Sequence, residues 1–219
     1  MNKVMISAVT LAFLVAGCTT DPFTGEQKVS NTAIGVGAGA GVGAVAGALL
    51  GSAVSADARK TALIGAGIGA LAGGGIGLYM DNQEAKLRQR LAGTGVSVTR
   101  VGDSIVLNMP SNITFDTNKA DVKPQFYNTL NSVSLVFKEY NQTLINVIGH
   151  TDSSGDANYN YDLSRRRAAS VAQYLAAQQL DSNRFSVEGH GASDPVASNA
   201  TASGKAQNRR VEITILPLT

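Results

Sequence analysis

The sequence predicts an α/β domain, a mixed sheet with helices on one side, behind a helical hairpin built on glycine stripes. Two observations predict it. After residue 94, short runs of alternating apolar residues take turns with runs at helical spacing, strand with helix. Before residue 80, glycine recurs at every fourth position in two otherwise apolar runs. Of 219 residues, 24 are Gly, most of them in that first part, and charged residues make up only 16%. The two halves therefore obey different rules.

Residues 1–17 read as a secretory signal. Lys3 supplies the positive start, residues 4–16 are uncharged and mostly apolar, and the small residues Ala16 and Gly17 precede Cys18. The apolar run is too short for a bilayer-spanning helix. Cys18 is the only cysteine, so it has no internal disulfide partner. The string Leu14-Val15-Ala16-Gly17-Cys18 resembles a bacterial lipobox. That resemblance implies acylation of Cys18 and anchoring by several acyl chains. Thr19, in place of Asp, implies sorting to the outer membrane. Residues 18–31 are then a lipidated tether.

Residues 32–80 hold the stripes: Gly35, Gly39, Gly43, Gly47, Gly51, then Gly65, Gly69, Gly73, Gly77. A spacing of four lines them along one helix face. Each Gly weakens a helix by about 1 kcal/mol, a cost offset where two backbones approach closely. Ser55 to Lys60 is expected to turn the chain, giving a hairpin of packed helices. Insertion in the membrane, packing in the periplasm and self-association, with a homo-oligomer as its product, all remain open. Gly39 to Ala44 mimics a dinucleotide loop, but no strand precedes it and no suitable acidic residue follows about twenty residues on.

Residues 81–93 are charged and helix-prone, with Glu84 and Arg88 at i,i+4 spacing, and read as a helical linker. Gly93-Thr94-Gly95 marks the boundary. In 94–219, Val96 and Val98 alternate on one strand and Ile105 and Leu107 on the next, joined near Gly102-Asp103. Pro124 opens a helix with Phe126, Leu130, Val133 and Phe137 on one face. Residues 144–148 form a strand, and 163–177 a helix with Ala168, Val171 and Leu175 inward. Strands follow at 184–188 and 211–216, the last stopped by Pro217.

Three polar blocks stand out in that domain. They are Thr114-Phe115-Asp116-Thr117-Asn118-Lys119-Ala120-Asp121, then Gly149-His150-Thr151-Asp152 with Leu163-Ser164-Arg165-Arg166-Arg167-Ala168 downstream, and Asn208-Arg209-Arg210-Val211-Glu212. Asp152 follows the carboxyl end of a strand, where α/β sheets place ligands. Arg167 lies on the next helix, whose side chains lean toward its N-terminus. A carboxylate and a guanidinium together suit a zwitterion. From the residues alone, an internal Asp152–Arg167 salt bridge is the leading reading.

Together the blocks resemble the OmpA/Pal-type peptidoglycan-associating domain over residues 102–219, with an OmpA-like βαβαβ sandwich behind a glycine-zipper segment. The resemblance implies that Asp152 and Arg167 hold the diaminopimelate of the wall stem peptide. It implies that the loop of Phe115 and Asp116 mainly offers backbone N–H groups to peptide carboxylates, and that Asn160 and Leu163 lie near the same pocket. Asn160 has a purely structural alternative, satisfying loop backbone. Of Arg209 and Arg210, one is expected to pair internally and the other to edge the site. His150 is expected to be a packed imidazole.

The implied function is an outer-membrane lipoprotein, its C-terminal domain in the periplasm, that binds peptidoglycan non-covalently and tethers membrane to wall. The alternative is an assembly or self-associating role for the hairpin, with wall binding only for positioning. An enzyme is not expected. His150, Asp152 and Ser153 crowd one turn, whereas a triad needs groups from different elements. No Gly-x-Ser-x-Gly elbow occurs. Two His, no helical His pair and one Cys support no metal site, and no cofactor is implied. A net charge of +2 without Trp, and without basic runs interleaved with aromatics, argues against nucleic acid.

Overall fold

The computed structural model describes residues 18–20, 27–29, 56–65, 68–71 and 75–219. The stretch expected as a signal and the first glycine stripe lie outside the described residues. Strands β1 (Cys18–Thr20) and β2 (Gln27–Val29) pair antiparallel, within the stretch expected as a tether.

Helix α1 (Ala56–Gly65) occupies the place where the hairpin was expected to turn. Asp57, in its first turn, favours a helix N-terminus electrostatically, which is why that charged stretch starts a helix. Residues 68–71 are not helical, so Gly69 of the second stripe lies outside both flanking helices. Helix α2 (Gly75–Leu91) follows. Its expected Glu84–Arg88 pair is made at 2.8 Å.

The linker reading of 81–93 needs correction. Met80, Leu87 and Leu91 of α2 are fully or almost fully buried in the main core. Tyr79 accepts the Gln142 N–H at 2.9 Å and meets Tyr140 edge-on, ring centroids 5.1 Å apart. Charges along α2 mask an apolar stripe that the domain needs.

Two glycines at positive φ, Gly93 and Gly95, then reverse the chain into β3 (Ser97–Val101) and β4 (Ser104–Pro110). The turn falls at Gly102-Asp103 as expected, with Gly102 at φ 57°. A one-turn helix, α3 (Ser111–Thr114), a 3-10 turn at Pro124–Phe126 and α4 (Tyr127–Glu139) precede β5 (Thr143–His150). Helix α5 (Ala157–Ala177) starts earlier than the apolar pattern indicated. Asp156 caps it, accepting the Tyr159 N–H at 2.9 Å. Then come β6 (Phe185–Gly191), α6 (Ala202–Asn208), which no apolar period announced, and β7 (Arg210–Pro217).

The sheet order is β3-β4-β7-β5-β6, with β5 and β6 parallel and the other neighbours antiparallel. Parallel β5 and β6 require a crossover, and α5 supplies it. The register puts Ile105, Ile215 and Ile145 in one row across the sheet, and Leu107, Ile213 and Val147 in the next. These residues are all fully buried in the main core. The third row, Met109 and Val211, ends on Gly149. A side chain there would sit 2.0 Å from the Ser164 carbonyl oxygen, so Gly149 is what lets α5 rest directly on the sheet. Gly189 on β6 does the same beneath Arg165. This close seat sets the position of Asn160, Leu163 and Arg167 above the strand ends.

The opposite face carries a second, small cluster at one end. Leu63 of α1 packs there with Leu144 and Leu218. Beyond it, polar residues dominate the β5–β7 rows of that face, with Ile148 opposite Glu212. Asn146, Glu212, His150 and Arg210 occupy its β5–β7 rows, and Arg59 of α1 donates to Asn146 Oδ1 at 3.3 Å.

Candidate functional site

A cleft of about 490 Å³ opens where β5 ends. Four segments line it: α3 with residues 115–118, the loop after β5, the first half of α5, and Arg209 at the entry to β7. All six residues expected at the site line it: Phe115, Asp116, Asp152, Asn160, Leu163 and Arg167.

Asp152 is 8% exposed. Its Oδ1 accepts the Ser154 N–H at 2.8 Å and its Oδ2 accepts from Arg209 Nη1 at 2.5 Å. Burial alone would raise the carboxyl, but the Arg209 hydrogen bond and the Ser154 N–H together hold it below its ordinary value. The group is a carboxylate. Asn160 Nδ2 donates to the carbonyl oxygens of Ser154 at 2.8 Å and Asp152 at 3.4 Å, which fixes the loop. Of the two readings for Asn160, these bonds match the structural one.

Arg167 does not pair with Asp152. No ion pair joins them among the described residues, so the salt-bridge alternative fails. Instead Arg167 Nε donates to the Lys119 carbonyl at 2.9 Å, and its guanidinium lies over the Phe115 ring, 5.1 Å from the centroid. Burial lowers its pKa, with Arg209 adding to that and Tyr159 and Asp152 opposing. The reach back expected of Arg167 therefore ends on residues 115–119, where Asn118 sits at φ 59°. Its Nη atoms make no hydrogen bond among the described residues.

Phe115 meets Arg167 through its ring. Its own N–H donates to Ser111 O at 2.8 Å, closing the α3 turn, and so is not an N–H offered to a ligand. Asp116 is exposed and pairs with Lys123 at 3.3 Å. Leu163 is 4% exposed and forms an apolar part of the wall.

The sequence left open which of two arginines faces the site. Arg209 does, through Asp152. Arg210 turns to the opposite sheet face and donates to Glu212 Oε1 at 2.6 Å. Neighbouring strand residues point to opposite faces, so one apolar anchor, Val211 in the core, would have decided it. Two lining hydroxyls were missed. Ser111 Oγ and Thr151 Oγ1 are buried, line the cleft and have no hydrogen-bond partner among the described residues. No spacing rule marks such residues, since their state depends on the walls around them. His150 is 3% exposed, and burial, with Arg210 adding, lowers it to about 4. It is a neutral packed imidazole on the far side of the sheet from the core.

A mixed five-stranded sheet carrying this cleft at its strand ends defines a class. Residues 114–209 match the OmpA family, and residues 1–81 match the YMGG-like Gly-zipper family. The chain belongs to the OmpA family. It is 55% identical to the probable lipoprotein YiaD of Escherichia coli strain K12, over 97% of this chain and 96% of that protein. It is 38% identical to the peptidoglycan-binding protein ArfA of Mycobacterium bovis, over 47% of this chain and 32% of that one. Among solved structures, the cell wall anchor of the T6SS from Pseudomonas aeruginosa superposes with a TM-score of 0.55 at 34% identity, covering 60% of this chain and 96% of that one. Among the described residues no helix is long and apolar enough to cross a membrane.

Proposed function

We propose that this chain is an outer-membrane lipoprotein, anchored by acylated Cys18, whose periplasmic domain binds peptidoglycan non-covalently through the diaminopimelate of the stem peptide. It thereby ties the membrane to the wall. The observation that carries the reading is one cleft lined by a fixed carboxylate, Asp152, and a separate guanidinium, Arg167. A free amino-acid end bears both charges. Its ammonium suits Asp152, whose oxygens keep further lone pairs beyond those used by Ser154 and Arg209. Its carboxylate suits the planar Nη edge of Arg167, held over Phe115. The peptidoglycan-binding and cell-wall-anchor relatives support wall binding.

Co-sedimentation of the detergent-solubilised full chain with isolated sacculi tests this. Retention is expected, with release by free diaminopimelate; a folded protein that stays in the supernatant refutes the reading. Arg167→Lys should weaken retention by about tenfold or more, because an ammonium cannot make the fork and loses its seat on Phe115. Equal retention of the Lys variant would remove the bidentate contact from the account. Cys18 acylation predicts a diacylglycerol-modified N-terminal Cys by mass spectrometry of the membrane fraction. An unmodified Cys18 there would overturn the anchor.

A further inference from the structure

On the sheet face opposite the core lies a second cluster of chemistry that the cleft does not use. His150, His190 and Asp194 each present a ligand atom, and these atoms all lie within 4.8 Å of one another. The two rings meet edge-on, centroids 5.4 Å apart. His190 Nδ1 faces Asp194 Oδ2 at 2.5 Å, while its Nε2 faces Glu188 Oε2 at 3.2 Å.

Surface histidine–carboxylate pairs are common and by themselves indicate no ligand. His150 is the separate observation. It is 3% exposed, yet neither ring nitrogen makes a hydrogen bond among the described residues. The nearest carboxylate oxygen, Glu212 Oε2, is 4.0 Å from Nε2, too far for one. A buried imidazole left without a donor or acceptor partner is costly and needs a reason. Charges of both signs surround it, and Arg210 also donates to the Asp194 carbonyl oxygen at 3.2 Å. Glu188, Asp194 and Glu212 stand against two nearby guanidinium groups, Arg210 on Glu212 and Arg59, which feels Glu188.

We infer that His150, His190 and Asp194 form a binding site for a divalent transition-metal cation of the zinc type. Two imidazoles and one carboxylate are the ligand set such ions favour, with a water completing the tetrahedron. Binding through His190 Nδ1 leaves its Nε2–H on Glu188, the carboxylate–histidine arrangement that fixes a ligand ring. Tetrahedral ligand atoms sit roughly 3.3 Å apart at zinc bond lengths. Asp194 and His190 are the partly exposed members, with side chains 56% and 32% accessible, so theirs are the rotamers free to close on the ion. His150 is the last residue of β5, and the site lies just behind the Thr151–Asp152 turn. The inference is independent of wall binding.

The test uses the full chain without an affinity tag, in detergent and stripped by chelator. Calorimetry with Zn²⁺ should show one ion per chain. Co²⁺ should give the visible absorption of a tetrahedral site. His190→Ala and Asp194→Asn change partly exposed groups and should each weaken Zn²⁺ by about tenfold or more, with thermal unfolding of the stripped proteins confirming the fold. Absence of saturable Zn²⁺ binding by the wild type, or equal binding by both folded variants, overturns the site.

Discussion

Asp152→Ala should lose retention on isolated sacculi while remaining folded. Removing one partner of a desolvated charge pair costs about 2–5 kcal/mol of binding, which is about thirtyfold in affinity at the low end. Stability should fall far less. The Ser154 N–H loses its acceptor, a cost of about 1–2 kcal/mol, but Arg209 has a 40% accessible side chain and can return to water. The check is co-sedimentation beside circular dichroism and thermal unfolding of the same preparation. Wild-type retention by the folded variant would take Asp152 out of the grip. The sign of the pH effect follows from the same contacts. Because the folded carboxyl lies below its ordinary value, its contribution is complete above that value and is lost only as pH falls through the lowered one. Wall binding by the wild type should therefore persist at about pH 4, near the unperturbed carboxylate range.

The largest loss of stability is expected from Arg184→Ala. Arg184 is 1% exposed and, among the described residues, has no carboxylate hydrogen-bonded to it. Its Nη1 donates to Phe137 O at 2.7 Å, its Nη2 to Tyr140 O at 2.9 Å and Thr143 Oγ1 at 2.8 Å, and its Nε to Thr143 O at 2.8 Å. Burial lowers it to about 10, so it stays charged at neutral pH. One side chain thus closes the C-terminal end of α4, where carbonyls lack helical partners and a cation is favoured, onto the start of β5. Truncation strands buried carbonyl oxygens and opens a cavity, and about 4 kcal/mol is a reasonable cost. That corresponds to a drop of roughly 10–15 °C in Tm for a domain of this size. A shift of a degree or two would mean that water or a local collapse replaces those bonds.

Much of this was legible in the sequence because burial there is periodic. Ile105 and Leu107 alternate, Leu130, Val133 and Phe137 recur at helical spacing, and each faces the core as expected. Where polar chemistry starts an element, the pattern was silent. Asp156 begins α5 and Thr201 begins α6 through single side-chain caps. The cleft was legible as a set of residues but not as a wiring diagram. Asp152 and Arg167 were both found, yet Asp152 is wired to Arg209, which stands just before β7, fifty-seven positions away. Arg184 looked like the first residue of a strand, since only the packed end of α4 reveals what its guanidinium caps.

The burial of α2 in the domain core has a mechanical consequence. Its 17 residues form a rod of about 25 Å, fastened by Met80, Leu87 and Leu91 rather than left as a slack leash. Tension arriving from the N-terminal side would meet this strut first. Under the proposed tethering, the strut and the wall contact would bear the same load in series, and α2 would have to leave its apolar packing before the chain could lengthen there.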